Sequence, residues 1–253
     1  MLNTCHRLGN GEHAVIVLHG WFGDAHAFAP MEAGLDGGAF RYLFMDSRGY
    51  GGMRGVAGNH TMAETARDAL ALADGLGIGR FSVIGHSMGA MAMEQLALLA
   101  PARVRKLVAV APVPSCGVAL DAAARQLFLD ASDSMAARRA IIDRSTGGRL
   151  PPAWLDWKAQ YSWERADRAA FAASFLAWSG TDFSEQVKAA ALRVPLLVLT
   201  GRHDPRFDAA LMRRTTLAWY PQAGLEELSN AGHYPMNETP LALAASIEAF
   251  LRD

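Results

Sequence analysis

The chain has 253 residues, 51% hydrophobic and 19% charged, a balance that suits a globular protein and is too apolar for disorder. With 24 basic against 25 acidic side chains the net charge is -1, so no global field exists to hold a phosphate backbone or an anionic membrane; neither nucleic acid nor membrane is expected as a partner. At this length a single α/β domain is the starting expectation.

Cys5 and Cys116 are the only cysteines and neither belongs to a C-x-x-C pair, which argues against a disulfide framework or a cysteine zinc site and suits a reducing cytoplasm. The opening residues Met1 to Arg7 contain no apolar core of a secretion signal. No uncharged apolar run approaches the roughly 18 residues that a membrane span needs. A cytoplasmic protein is the expectation.

In chain order, strands are predicted at Ala14 to His19, Arg41 to Asp46, Phe81 to Gly85, Lys106 to Ala111, Pro195 to Thr200 and Leu225 to Leu228. Runs such as Val15-Ile16-Val17-Leu18 need not alternate with polar residues, because a parallel sheet covered on both faces buries every side chain. Helices fit between the strands. Thr61 to Leu76 opens on a threonine cap three residues before Glu64, Met88 to Leu99 follows a glycine-serine turn, and Pro240 to Leu251 carries an apolar stripe. The alternation predicts a doubly wound, mostly parallel sheet flanked by helices.

The alternation fails between Val113 and Ala191, a helical stretch holding Trp154, Trp157, Trp163 and Trp178, four of the six tryptophans. Strand signals resume at Pro195, so residues 113–191 are expected to be a helical cap inserted between two parts of one core, 1–112 and 192–253. The adjacent pairs Arg138-Arg139 and Arg213-Arg214 are expected on solvated helix faces.

A serine hydroxyl attacks a carbonyl only when a strained turn exposes it, a base takes its proton and donors meet the developing oxyanion. Gly85-His86-Ser87-Met88-Gly89 is a G-x-S-x-G segment that follows a predicted strand and opens a predicted helix, the context such a turn requires. The order expected on this scaffold is Ser, then an acid, then His. Asp204 follows the strand ending at Thr200-Gly201-Arg202-His203, and His233 follows Ser229-Asn230-Ala231-Gly232. Both fall in strand-end loops, the ligand edge of an open α/β sheet.

These segments, with Leu18-His19-Gly20-Trp21 and Asp46-Ser47-Arg48-Gly49-Tyr50-Gly51, resemble the α/β-hydrolase superfamily over nearly the whole chain, in its small, capped, cofactor-independent branch of carboxylesterase and lactonase type. The resemblance implies the α/β-hydrolase fold and a triad of Ser87 as nucleophile, His233 as proton shuttle and Asp204 as its orienting acid. It also places the oxyanion hole at the backbone N–H groups of Met88 and Trp21, with Phe22 the adjacent alternative to Trp21.

Each role has rivals. Asp208 lies four residues after Asp204, and Asp46 ends another strand but precedes a segment with a structural loop role in this fold. His86 and His203 adjoin Ser87 and Asp204, where successive side chains point different ways, so packing or hydrogen bonding is their expected role. His19 is expected to shape the oxyanion loop. His6, His13, His26 and His60 show no metal-ligand spacing, and neither metal nor cofactor is expected.

The aromatic residues of the cap, with Phe128, Tyr161, Phe171 and Phe175, suit either the cap's own core or the walls of an apolar pocket. Phe22, Met88, Trp154 and Trp178 are the candidate walls. Such a pocket favours esters, thioesters or lactones with an apolar acyl or aromatic part over sugars or highly charged substrates. The expected partner is therefore a small apolar, ester-like molecule, and the expected assembly is a monomer or homodimer. C–C bond hydrolases, perhydrolases, lactonases and hydroxynitrile lyases keep the serine and stay open; haloalkane dehalogenases and epoxide hydrolases, which attack with aspartate, do not. A ligand-binding receptor on the same fold and cofactor-free oxygen chemistry from a His-Asp dyad are readings of other classes.

Overall fold

The apolar runs pair into one seven-stranded sheet in the computed structural model, which describes residues 2–252. Its strands are β1 (Cys5–Leu8), β2 (His13–Leu18), β3 (Phe40–Met45), β4 (Phe81–His86), β5 (Val104–Val110), β6 (Leu196–Gly201) and β7 (Ala223–Leu228). They lie in the order β1-β3-β2-β4-β5-β6-β7, all parallel except β1, which runs antiparallel to β3. This is the α/β-hydrolase sheet. The chain leaves β2 for one side of the sheet and β4 for the other, so a topological switch opens at the carboxyl ends of these central strands.

Eleven helices surround the sheet among the described residues: α1 (Met62–Gly75), α2 (Met88–Leu99), α3 (Ala122–Asp130), α4 (Met135–Ser145), α5 (Pro152–Arg165), α6 (Arg168–Gly180), α7 (Ser184–Ala190), α8 (Ala209–Arg214), α9 (Thr216–Trp219), α10 (Pro235–Glu238) and α11 (Pro240–Arg252). Every residue of β4 is buried, as are five of the six in β2, which explains their apolar runs. The Thr61 hydroxyl caps α1 by accepting from the Glu64 N–H at 3.2 Å. The Glu64 carboxylate reaches past Thr61 to accept from the Asn59 and His60 N–H groups, bracing the turn that leads into the helix.

Three features depart from the sequence reading. β1 had no apolar signature because it is an edge strand with Arg7 exposed. The short helices α8, α9 and α10 are too brief for a periodic pattern. Arg138 does not lie on a solvated face: it is fully buried, donating to the Ala131 carbonyl at 2.7 Å and to Ser162 Oγ at 3.2 Å, with its guanidinium carbon 3.7 Å from the Phe171 ring centroid. Burial lowers its pKa to about 10. Its neighbour Arg139 pairs with Asp156 at the surface, and Arg213 and Arg214 are exposed on α8.

Between β5 and β6 the chain forms α3 to α7, joined to the sheet side by specific contacts. Asp167 donates its N–H to the Gly49 carbonyl at 2.8 Å and accepts from the Gly55 N–H. The Trp21 indole N–H donates to the Phe171 carbonyl at 2.7 Å while its ring stacks on Phe171 with centroids 4.0 Å apart. Tyr161 of α5 donates to Asp24, a fully buried carboxylate that also lies 3.5 Å from Arg165. The loop after β2 is thus gripped by α5 and α6.

One acid is fully buried on α2. Glu94 lies two helical turns along α2 from Ser87, and burial raises its carboxyl pKa to about 8, with Ser115 and Tyr220 as its polar neighbours. At that value the acid is mostly protonated at pH 7.

Candidate active site

Ser87 sits where β4 turns into α2, with φ of 54° and ψ of -118°, a backbone conformation that costs a non-glycine residue about 1–3 kcal/mol. The flanking glycines explain how the turn closes. A Cβ on Gly85 would lie 2.5 Å from the Ala90 Cα, and one on Gly89 would lie 2.7 Å from the His19 carbonyl oxygen. Only hydrogen fits at either place, which is the physical content of G-x-S-x-G here.

The strand ends bring Ser87, His233 and Asp204 into one chain of contacts. His233 Nε2 lies 3.0 Å from Ser87 Oγ, and His233 Nδ1 lies 2.6 Å from Asp204 Oδ2. Asp204 is 1% exposed, and its other oxygen accepts the backbone N–H groups of Arg206 and Phe207 at 3.0 and 3.1 Å. With both oxygens engaged, the carboxylate holds the imidazole with Nδ1–H toward itself and the lone pair of Nε2 toward the serine.

Neighbouring histidines buttress this arrangement. His86 Nε2–H donates to the His233 carbonyl at 2.8 Å, and burial pushes its pKa well below the usual histidine value, so it stays neutral. His19 Nδ1–H donates to the Gly20 carbonyl at 2.9 Å while its Nε2 accepts from the Ser47 N–H at 3.1 Å, pinning the loop that carries Trp21. The loop passes so close to His86 that a Cβ on Gly20 would lie 2.5 Å from its Nδ1. Among the described residues the backbone N–H groups of Trp21, Phe22 and Met88 donate to no backbone acceptor outside regular structure.

The rival residues are engaged elsewhere. Asp208 caps α8, accepting from the Leu211 N–H at 2.7 Å. Asp46 accepts from Thr4 Oγ1, the Gly52 N–H and the Ala25 N–H and so ties three loops together. His13 contacts Ser82, His60 contacts the Arg48 carbonyl, and His6 pairs with Glu32. His203 uses its backbone N–H to bind the Ala231 carbonyl.

A cavity of about 970 Å³ opens above Ser87 and His233. Phe22 and Trp178 line it, with Trp21 and Phe128 beside them. Trp154 does not: its ring packs against Tyr234 and Trp157, with centroids at 5.9 and 6.2 Å. Met88 also lies outside the lining side chains, as the first residue of a helix directed into the core. Phe171 and Phe175 pack on Trp21 and Trp178 and form the layer behind the wall. Sequence reasoning missed Arg144, Arg206 and the segment Cys116-Gly117-Val118-Ala119, which also line the cavity. No local pattern marks them, because they meet only when α3, α4 and the turn after β6 converge.

Two further observations bound the site. Among the described residues no cluster of three His, Cys, Asp or Glu side chains could hold a metal ion, and no helix is long and apolar enough to cross a membrane.

Comparison with known proteins agrees with this architecture. The 2-hydroxymuconate semialdehyde hydrolase of Pseudomonas putida is 28% identical over 260 residues, spanning 98% of this chain and 90% of that protein. The enol-lactonase from Burkholderia xenovorans LB400 superposes with a TM-score of 0.86 at 22% identity, covering 99% of this chain and 96% of the other. An esterase from Exiguobacterium antarcticum has a TM-score of 0.86 at 17% identity, covering 98% and 95%. A family model described as the alpha/beta hydrolase family matches residues 15–246, and the chain belongs to that family.

Proposed function

We propose that the protein is a serine hydrolase that cleaves a carboxylic ester, thioester or lactone with an apolar acyl or aromatic part, through an acyl-enzyme intermediate. The observation that carries this reading is the unbroken chain from Ser87 Oγ to His233 to Asp204, at 3.0 and 2.6 Å, on the floor of an aromatic-walled cavity. Ser87 Oγ bonds to the substrate carbonyl carbon as His233 Nε2 takes its proton. The backbone N–H groups of Met88 and Trp21 receive the oxyanion, each such donor contributing about 3 kcal/mol. His233 then protonates the leaving oxygen or sulfur, and the bond to it breaks. Water, deprotonated by His233, attacks the acyl-serine; collapse frees the acid and returns the proton to Ser87.

The apolar walls argue that substrate affinity grows with buried carbon. Each added methylene that enters the cavity contributes about 0.8 kcal/mol. The test is a series of p-nitrophenyl esters from acetate to hexanoate, with wild type and Ser87→Ala. The reading expects kcat/KM to rise along the series and Ser87→Ala to lose several orders of magnitude in kcat. Retention of most activity by Ser87→Ala would overturn it and favour chemistry from the His233-Asp204 pair alone.

A second reading is C–C bond hydrolysis by the same triad. It is favoured by the similarity, over 98% of this chain, to an enzyme described as a 2-hydroxymuconate semialdehyde hydrolase. Cleavage of a vinylogous diketone at a rate above that of the best ester would place the protein there.

A further inference from the structure

Beyond the triad, three charged side chains line the cavity: Asp143, Arg144 and Arg206. Two nearby arginines find acids, Arg139 with Asp156 at 2.6 Å and Arg149 with Glu238 at 2.8 Å. Arg144 and Arg206 do not. Among the described residues neither guanidinium comes within 4.0 Å of a carboxylate or makes a hydrogen bond.

Arg206 is nonetheless held in place. Its backbone N–H is fixed by Asp204 Oδ1, and its guanidinium carbon lies 5.7 Å from the ring centroid of Phe128, itself part of the cavity wall. A guanidinium lodged against an aromatic ring keeps its edge donors free, and those donors match a carboxylate in a fork geometry. Asp204 makes no ion pair with it, and both of its carboxylate oxygens are already bound. Asp143 pairs with neither arginine, and with Asp204 counted the wall carries two positive and two negative charges, so the arginines offer unused donors rather than a net positive field.

We propose that Arg144 and Arg206 form an anion subsite in the Ser87 cavity, and that the substrate carries a carboxylate separated by an apolar stretch from the carbonyl that Ser87 attacks. This rests on the hydrolase reading and sharpens it: the substrate is apolar along its length and singly charged at one end. A wall with no net positive charge suits a singly charged carboxylate better than a phosphate monoester, which carries about -1.5 to -2 at neutral pH. The cavity volume of about 970 Å³ accommodates both ends of such a molecule.

The test compares two chromogenic esters of equal length, p-nitrophenyl hexanoate and mono-p-nitrophenyl adipate, on wild type, Arg144→Gln, Arg206→Gln and the double variant. The kcat/KM ratio of adipate to hexanoate ester should fall about tenfold in the double variant, equivalent to about 1.4 kcal/mol. An unchanged ratio overturns the subsite. A second measurement needs no turnover: hexanoate, hexanamide and hexyl phosphate are titrated onto Ser87→Ala protein with and without the arginine changes. Hexanoate should bind more tightly than the other two, with its advantage lost in the arginine variants. Equal affinities for hexanoate and hexanamide overturn the proposal, and a preference for hexyl phosphate overturns the assignment to a carboxylate. A protein that cleaves no ester yet prefers hexanoate would refute the hydrolase reading and keep the subsite, whereas an active esterase indifferent to the terminal carboxylate would refute the subsite alone.

Discussion

Replacing Glu94 by glutamine should remove one specific component of the protein's pH-dependent stability. Burial raises the Glu94 pKa to about 8, against 4.5 for an ordinary glutamate. Between those values the folded protein holds a proton that the unfolded chain has released, so stability contributed through this group falls as pH rises. The slope approaches about 1.4 kcal/mol per pH unit, or about 3 kcal/mol between pH 5.5 and 7.5. Glutamine copies the protonated acid in shape and does not titrate. Other groups act in the opposite sense: burial lowers the pKa of His13 to about 4, which makes stability rise with pH up to about 6.5, and Lys158, lowered to about 8, does the same between about 8 and 10.5. The informative quantity is therefore the difference between Glu94→Gln and wild type, measured by urea unfolding at each pH. The variant should gain about 3 kcal/mol relative to wild type over those two units. A difference that stays flat would mean that Glu94 is ionised in the folded state, refuting the account of a buried neutral acid.

Two further outcomes follow from the site geometry. Asp208→Ala should cost about 1 kcal/mol of stability through loss of the α8 cap, with kcat retained, while Asp204→Asn should lower kcat by about 10⁴; steady-state kinetics and unfolding curves on both variants check this, and the reverse pattern would exchange the roles of the two acids. Trp178→Leu, which alters the cavity wall, should raise KM for p-nitrophenyl hexanoate several-fold, whereas Trp154→Leu should leave it within about twofold because that ring packs outside the cavity.

What could be read in advance was whatever the chemistry writes locally. The close approach of Gly85 and Gly89 to neighbouring backbone excludes any other residue, so the turn around Ser87 announces itself in five letters. Asp204 and His233 are visible because they stand directly after strand-like runs. Central strands are legible for the same reason that they are buried, whereas edge strand β1 follows no apolar rule. Arg138 misled because a pair of arginines carries no mark of its surroundings; its burial depends on Ala131, Ser162 and Phe171 arriving from three other places in the chain. Trp154 misled in the same way, since the direction of one ring depends on how α5 is rotated against Tyr234. The freedom of Arg144 and Arg206 is likewise a tertiary property: a missing partner has no sequence signature.

A fluorophosphonate probe tests most directly whether Ser87 is an activated nucleophile. Displacement of fluoride by Ser87 Oγ should leave one phosphonyl group on the folded protein, mapped by mass spectrometry to the peptide containing Ser87, absent in Ser87→Ala and slowed strongly in His233→Ala. Folded protein that stays unmodified, or that carries the adduct on another residue, would contradict it.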